Sequence, residues 1–246
     1  MLNLLKVEFY KLKTSKIFWL MVIAGVVQGI AGPLASSILR TKTGEDMLIF
    51  SFQMQQFLFW IPLIGVFVYF IGSEFQTGSI KGLIAYGHRR RDIIIAKSIA
   101  FYTGVAVISV IFPLVVTVIN IALNGYGRAF DLQAFAVFLR VSLLMTLIYV
   151  GMSSLAILIV YVSRNAIVAS ALFIFLDTLS RMGQGLSFRS KTVEAIYGKT
   201  VFYQVNYVAL KDTTFSQGLE VVVICLITIL LSTAAAIFVF KRADIK

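Results

Sequence analysis

The side chains that could carry out chemistry are few in this 246-residue chain, and they do not form a catalytic set. His88 is the only histidine, so zinc motifs that need two histidines are excluded. Cys225 is the only cysteine, which excludes a disulfide framework and a multi-cysteine metal site within one chain. No Gly-x-Ser-x-Gly sequence is present. We therefore predict that the chain is not an enzyme and binds no cofactor or metal of its own.

One short stretch matches part of a nucleotide-binding loop. Gly198-Lys199-Thr200 has the final residues of the phosphate-binding pattern, which also requires a glycine five residues before Gly198. That position is Val193, so the pattern is incomplete. If ATP drives this protein, a partner must supply the ATPase.

The most informative polar segment runs from residue 73 to residue 91. Ser73 and Gln76 form a capping-box pattern that would open a helix, and Gly87 could end it. Asp92 could cap the helix that follows. An apolar strip would lie along one side of the segment, formed by Phe75, Ile80, Leu83 and Ile84. Such a helix is typical of docking onto a soluble partner or of binding to lipid headgroups, and the pattern leaves both open.

The first 15 residues are also amphipathic. Leu2, Leu5, Phe9 and Leu12 recur at spacings of three, four and three, so they would share one helical face. The opposite face would carry the polar residues Asn3, Lys6, Glu8, Lys11 and Lys13. This pattern predicts a helix that lies in the membrane interface, although a simple basic flank of the first span is the alternative.

The composition indicates that these segments belong to a membrane protein. Hydrophobic residues make up 59% of the chain, charged residues make up 13%, and the mean hydropathy is +0.93. A soluble domain has about 25% charged residues, so much of this apolar surface must face lipid. At about 20 residues a span, the sequence predicts one all-α integral membrane domain over residues 1–246. Its six spans are expected near 17–39, 53–72, 93–123, 134–161, 166–180 and 219–240.

Charge sets the expected orientation. The chain has 22 lysines and arginines against 11 acids, and more than half of those cations fall on the segments that would be cytoplasmic if the N-terminus is inside. This asymmetry predicts that both termini are cytoplasmic, and it explains the basic balance without a nucleic-acid partner. Within the spans, Lys97 is expected to snorkel to the interface, and Asp177 can pair with Arg181 four residues later.

The order of these features resembles the membrane subunits of type-2 ABC exporters. A basic amphipathic N-terminus and two spans precede Glu74-Phe75-x-x-Gly78-Ser79-Ile80-Lys81, in which Ser79 stands where the family often has threonine. The chain is most similar to the branch found in peptide-antibiotic immunity, bacitracin resistance and phenol-soluble-modulin export in Gram-positive bacteria. The resemblance covers the whole chain as an architecture, including the long outer loop, residues 181–218, and its sharpest motif runs from Glu74 to Arg91.

This resemblance implies a mechanism. Two such subunits, identical or sister chains, would bind two separate ATPase subunits that carry ATP and Mg. Residues 73–91 would form a coupling helix that contacts the ATPase, through Glu74, Phe75, Gln76, Gly78, Ser79, Ile80, Lys81, Leu83, Ile84, Arg89, Arg90 and Arg91. Residues 1–15 would form an interfacial elbow helix, through Leu5, Lys6, Phe9, Lys11, Leu12 and Lys13. The loop 181–218 would be a partly re-entrant outer gate.

The resemblance also implies a cargo and a location. The cargo would be amphipathic or antimicrobial peptides or toxins, exported across the plasma membrane of a bacterium. A drug, an antibiotic or a lipid-linked molecule is the alternative cargo within the family. Outside it, the alternatives are an ion-coupled secondary carrier and a non-transporting membrane anchor. The carrier is disfavoured because no carboxylate is predicted near the middle of a span.

Overall fold

The computed structural model describes residues 1–35, 43–58, 68, 71–208 and 214–242, and all regular structure in these residues is helical. Residues 71–76 are also helical. The helices are α1 (Leu2–Thr14), α2 (Lys16–Ala35), α3 (Gly44–Leu58), α4 (Ser79–Ala85), α5 (Arg90–Asn124), α6 (Leu132–Ser163), α7 (Ala166–Ser187), α8 (Lys191–Tyr197), α9 (Gln204–Val208) and α10 (Phe215–Arg242).

Four helices of the described ranges are long and apolar enough to cross a membrane, namely α5, α6, α7 and α10. The α1–α2 pair, which bends by 52° at its break, would add a fifth span. The predicted second span, 53–72, falls partly outside the described residues. The prediction of an all-helical membrane protein is therefore confirmed, whereas the count of six spans stays a prediction.

The turn between α6 and α7 follows from local sequence. Arg164 adopts a left-handed conformation with φ of 52°, which stops the α6 hydrogen-bond ladder. The Asn165 side chain then accepts hydrogen bonds from the backbone N–H groups of Ile167 and Val168, at 2.9 and 3.3 Å. The far end of α6 is capped in the same way, since Asp131 accepts from the Ala134 N–H at 2.7 Å.

Helix α7 extends seven residues beyond the predicted end of the fifth span, residue 180. Arg181 lies one turn after Asp177 and binds its carboxylate, with 2.6 Å between Arg181 Nε and Asp177 Oδ2, so this pair supports the helix across residue 180. The first seven residues of the predicted outer loop, 181–187, therefore continue α7.

Helix α6 forms the core of the bundle. It packs against α10, α5 and α7, and its Tyr149, Met152 and Tyr161 are fully buried. The Tyr149 hydroxyl donates a hydrogen bond of 2.5 Å to the carbonyl oxygen of Phe52, which ties α6 to α3. Helix α5 forms the other wall and packs against α1, α2 and α3.

The outer loop folds back into the bundle. Helix α8 returns along α7, where the Tyr197 hydroxyl donates to the Ser180 carbonyl at 2.6 Å. Val201 then lies against the middle of α6, because a Cβ atom added to Gly151 would come within 2.9 Å of Val201 Cγ2. Residues 198–208 thus pack among the membrane-spanning helices.

Candidate functional site

The segment 73–91 contains a break that the sequence pattern did not predict. Residues 71–76 are already helical, so the helix does not begin at Ser73 as the capping box suggested. The chain instead turns at residues 77–78, where Gly78 has a φ of 72°, and α4 follows. A left-handed residue cannot continue a right-handed ladder, so Gly78 separates two short helices.

The end of the segment also differs from the prediction. Gly87 has a φ of 84° and lies just beyond α4, as expected for a residue that ends a helix. Helix α5 has Arg89 as its N-cap, without a side-chain cap. Asp92 therefore lies in the first turn of α5, where the helix dipole favours an acid, and does not cap the helix.

The apolar strip of the segment faces the interior of this chain. Ile80 is 2% exposed, and Leu83 and Ile84 pack against a small cluster formed by Leu4, Ile93 and Ala96. The Phe75 ring packs edge-on against the rings of Tyr161 and Phe240, with centroids 5.5 and 6.3 Å apart. The segment 73–91 thus packs against α1, α5, α6 and α10.

Arg90 is also directed inward. Its Nη1 atom donates to the carbonyl oxygens of Phe240 and Lys241, at 3.0 and 3.1 Å, and the guanidinium lies 5.8 Å from the Phe240 ring centroid. These carbonyls belong to the last turn of α10, where a cation is stabilised by the helix dipole. Arg90 therefore fixes the end of the last span.

The other predicted contact residues are left on the outside. The side chains that face solvent are Gln76, Ser79, Lys81, Arg89 and Arg91. Tyr86 lies among them and is 86% exposed, although sequence reasoning did not single it out. An exposed tyrosine beside cations is typical of a protein-binding surface. We call these six residues the docking surface.

Four charged side chains meet beneath the docking surface. Lys97 Nζ binds Glu8 Oε1 at 2.9 Å and also binds Glu74, while Lys11 Nζ binds Glu8 Oε1 at 3.1 Å and Glu74 Oε1 at 3.0 Å. The Lys97 side chain is 2% exposed and the two carboxylates are nearly buried. This ionic cluster joins α1, the helical residues 71–76 and α5.

The ionic cluster corrects two predictions. Lys97 does not snorkel to the interface, because two carboxylates compensate its charge inside the protein. Glu8 does not lie on an exposed polar face, because α1 packs through Leu4, Glu8 and Leu12 at four-residue spacing. Leu5 packs beside Leu4, while Leu2 and Phe9 stay exposed. Lys6 and Lys13 are exposed as predicted for the polar face of α1.

The charges of the ionic cluster balance, with two cations and two carboxylates. Burial would lower the pKa of Lys11, but the Coulomb attraction of Glu74 and Glu8 and their hydrogen bonds outweigh it, so the pKa of Lys11 is raised. Lys11 therefore keeps its charge at neutral pH. Among the described residues, no group of three or more His, Cys, Asp or Glu side chains could hold a metal ion.

Comparison with known proteins gives one family. Residues 4–180 match the family model described as ABC-2 family transporter protein. The matched range begins in α1, ends within α7 and includes the ionic cluster and the docking surface. No curated protein matches the chain.

Proposed function

The chain belongs to the ABC-2 family of transporter proteins and is a transmembrane subunit of an ABC transporter, and we propose that this transporter exports amphipathic or antimicrobial peptides. ATP would be hydrolysed with Mg in separate ATPase subunits. Two of these would bind to a pair of permease subunits, either two copies of this chain or this chain and a sister chain.

The ionic cluster is the observation that carries the coupling part of the proposal. Glu74 lies just before the docking surface, and its carboxylate binds Lys97 of α5 and Lys11 of α1. A push on the docking surface would therefore move the start of a 35-residue helix and the N-terminal helix together. Phe75 extends the connection to α6 and α10 through its ring contacts.

The docking surface supports the choice of a soluble partner over lipid. The apolar side of α4 is already covered by this chain, so lipid would have little apolar surface to bind there. The exposed side combines Tyr86 with Lys81, Arg89 and Arg91, which suits an acidic groove on a partner. These residues would contact the ATPase, rather than the buried Ile80 or the partly buried Leu83 and Ile84.

Helix α1 supports the proposed placement in the membrane. It bends by 52° from α2, it exposes Leu2 and Phe9, and it carries the exposed cations Lys6 and Lys13. This combination suits a helix in the headgroup region. Both termini would then be cytoplasmic, in the plasma membrane of a bacterium.

The cargo is proposed from the resemblance and from the outer loop. Residues 198–208 pack against the middle of α6, so the loop could gate a path through the bundle as a re-entrant element. A drug, an antibiotic or a lipid-linked molecule is the alternative cargo. Membership of the ABC-2 family favours all of these over an ion-coupled carrier or a membrane anchor.

The proposal is tested with the permease and its ATPase reconstituted in vesicles, using an amphipathic antimicrobial peptide as cargo. Tyr86→Ala should weaken ATPase binding about tenfold, since exposed tyrosines are frequent hot spots of protein interfaces. Phe188→Ala, which truncates a 76% exposed aromatic residue of the outer loop, is the matched control and should leave binding unchanged.

Transport and coupling are measured in the same preparation. We expect ATP-dependent movement of the peptide away from the ATPase side in the wild type, and slower movement in Tyr86→Ala at the same ATPase concentration. Wild-type ATPase binding by Tyr86→Ala would contradict the docking surface. Failure of the wild type to move the peptide, with ATPase binding intact, would contradict the cargo alone.

A further inference from the structure

A cavity of about 480 Å³ opens between α6 and α10 at the end of the bundle opposite the docking surface. Its α6 wall includes Leu143, Leu144 and Leu147, and its α10 wall includes Gly218, Leu219 and Val222. Arg140 is the one charged residue among the described residues that line it. The volume is in the range of cavities that bind small molecules or a lipid chain.

Along α6, the cavity extends from near the start of the helix to its middle. The 32 residues of α6 extend over about 48 Å, so each end overhangs a hydrocarbon layer of about 30 Å by about 9 Å. Arg140 lies about 12 Å from the start of α6, near the headgroup boundary. Leu147 lies about 22 Å from the start of α6, near the midplane of a bilayer on which α6 is centred.

The cavity therefore has a polar end, formed by Arg140 and Thr214, and an apolar end, formed by Leu147 and Val222, which is the polarity of a lipid. The Arg140 guanidinium has five N–H donors, so it can bind a phosphate in addition to its contacts within the protein. Both walls belong to helices that are long and apolar enough to span the membrane, and Leu143 and Leu219 at the opening are 60% and 49% exposed, so a lipid can reach the cavity from outside the bundle.

We propose that this cavity is a binding site for an anionic phospholipid, which places one acyl chain between α6 and α10 and its phosphate at Arg140. Gly218 makes room for the chain. A Cβ atom added there would lie 4.0 Å from Leu144 Cδ1, so alanine fits at ordinary contact distance while a larger side chain would enter the cavity. The proposal goes beyond peptide export and does not depend on the cargo or the ATPase.

The site is tested by photo-crosslinking of the full chain in vesicles of phosphatidylcholine that contain phosphatidylglycerol with a diazirine in its acyl chain. Labelled residues are identified by mass spectrometry. We expect labelling at Leu144, Leu147 and Leu219 to exceed that at Leu230 and Leu231, which are 68% and 65% exposed on α10 outside the cavity. Equal labelling of both sets would overturn the proposal, because it would show ordinary lipid contact.

Two glycine variants test occupation of the cavity. Gly218→Phe should reduce labelling of Leu144 and Leu147 about tenfold, since the ring would occupy the space of the chain. Gly218→Ala is the matched control and should label like the wild type. Labelling of Leu230 and Leu231 should stay constant in both variants, which shows that α10 is inserted in the membrane. Unchanged labelling of the cavity in Gly218→Phe would overturn the site.

Two arginine variants test the headgroup. A single basic side chain should favour the anionic lipid over diazirine-labelled phosphatidylcholine about fivefold. Arg140→Gln should remove this preference and Arg140→Lys should retain most of it. Equal labelling by the two lipids in the wild type would overturn the anionic ligand. Crosslinks from the cavity residues to a second copy of the chain would overturn it too, because they would identify a protein interface.

Discussion

Lys97 shows how a charged residue is tolerated inside this membrane protein. The charge is removed from water, which is unfavourable, but Glu8 and Glu74 both bind the ammonium group and Lys11 balances the second carboxylate. A buried ion pair of this kind adds little net stability relative to an apolar replacement of all its members. Its effect is to fix one arrangement of α1, residues 71–76 and α5.

Removing the central cation should be strongly destabilising. Lys97→Met keeps the length of the side chain but leaves two nearly buried carboxylates facing each other with only the partly exposed Lys11. We expect a loss of about 3–5 kcal/mol in the free energy of unfolding, as for other broken buried pairs. Denaturant unfolding of the purified chain, followed by tryptophan fluorescence, measures it.

The matched control is Lys11→Met, because the Lys11 side chain is 33% exposed and water can replace part of its contacts. Its loss should be about 1 kcal/mol. Adding Glu74→Gln to Lys97→Met should recover part of the stability, since one uncompensated charge is removed. Equal stability of Lys97→Met and wild type would mean that water reaches both carboxylates.

Only ion pairs between residues that are close in the sequence could be predicted from their spacing. Asp177 and Arg181 are one helical turn apart, so their pairing was predicted from spacing and is confirmed at 2.6 Å. Lys97 and Glu8 are separated by 89 residues, and their contact depends on how α1 packs against α5. The available signal was the placement of Glu8 between Leu4 and Leu12 at four-residue spacing.

At the scale of elements, two glycines in the segment 73–91 have opposite roles. Gly78 has a φ of 72° and separates residues 71–76 from α4, whereas Gly82 lies inside α4. A Cβ atom added at either position would meet open space, so only backbone preference distinguishes the two substitutions. Comparing alanine substitutions at Gly78 and Gly82 therefore measures the effect of the helix break at Gly78 on stability.

Gly78→Ala should destabilise the segment 73–91 by about 1–2 kcal/mol, because alanine resists the left-handed conformation. Gly82→Ala should stabilise α4 by about 0.5–1 kcal/mol, because alanine is the better helix former. Amide hydrogen exchange over residues 79–85 measures both effects. The prediction fails if the two variants change exchange in the same direction.

The ends of helices were predictable only where side chains determine them. The predicted spans 134–161 and 166–180 left room for only a short turn, and Arg164 and Asn165 form it through a left-handed backbone and an N-cap. The end of α7 was not predictable from hydropathy, because a helix can leave the hydrocarbon layer and continue in polar sequence. The helix break at Gly78 was missed because glycine is also tolerated inside helices.

At the scale of the whole molecule, composition predicted the class and motif order predicted the family. The content of 59% hydrophobic residues requires lipid contact, and α7 and α10 indeed expose many large apolar side chains. The family match confirms a type-2 ABC permease, and the peptide-antibiotic branch stays a prediction. Composition cannot show which helix is central, because α6 is as apolar as the helices that face outward.

The orientation of the molecule provides the last prediction. Ala85 and Ser216 are both exposed, the first beside the docking surface and the second near the start of α10, so a cysteine at either position can react. The native Cys225 is buried, so the wild type serves as an unlabelled background. If the cations Lys81, Arg89 and Arg91 are cytoplasmic, a membrane-impermeant maleimide should label Ser216→Cys in intact cells and Ala85→Cys only after permeabilisation. The reverse pattern would place the docking surface outside the cell, where no ATP-driven partner could reach it, and would overturn both the topology and the coupling mechanism.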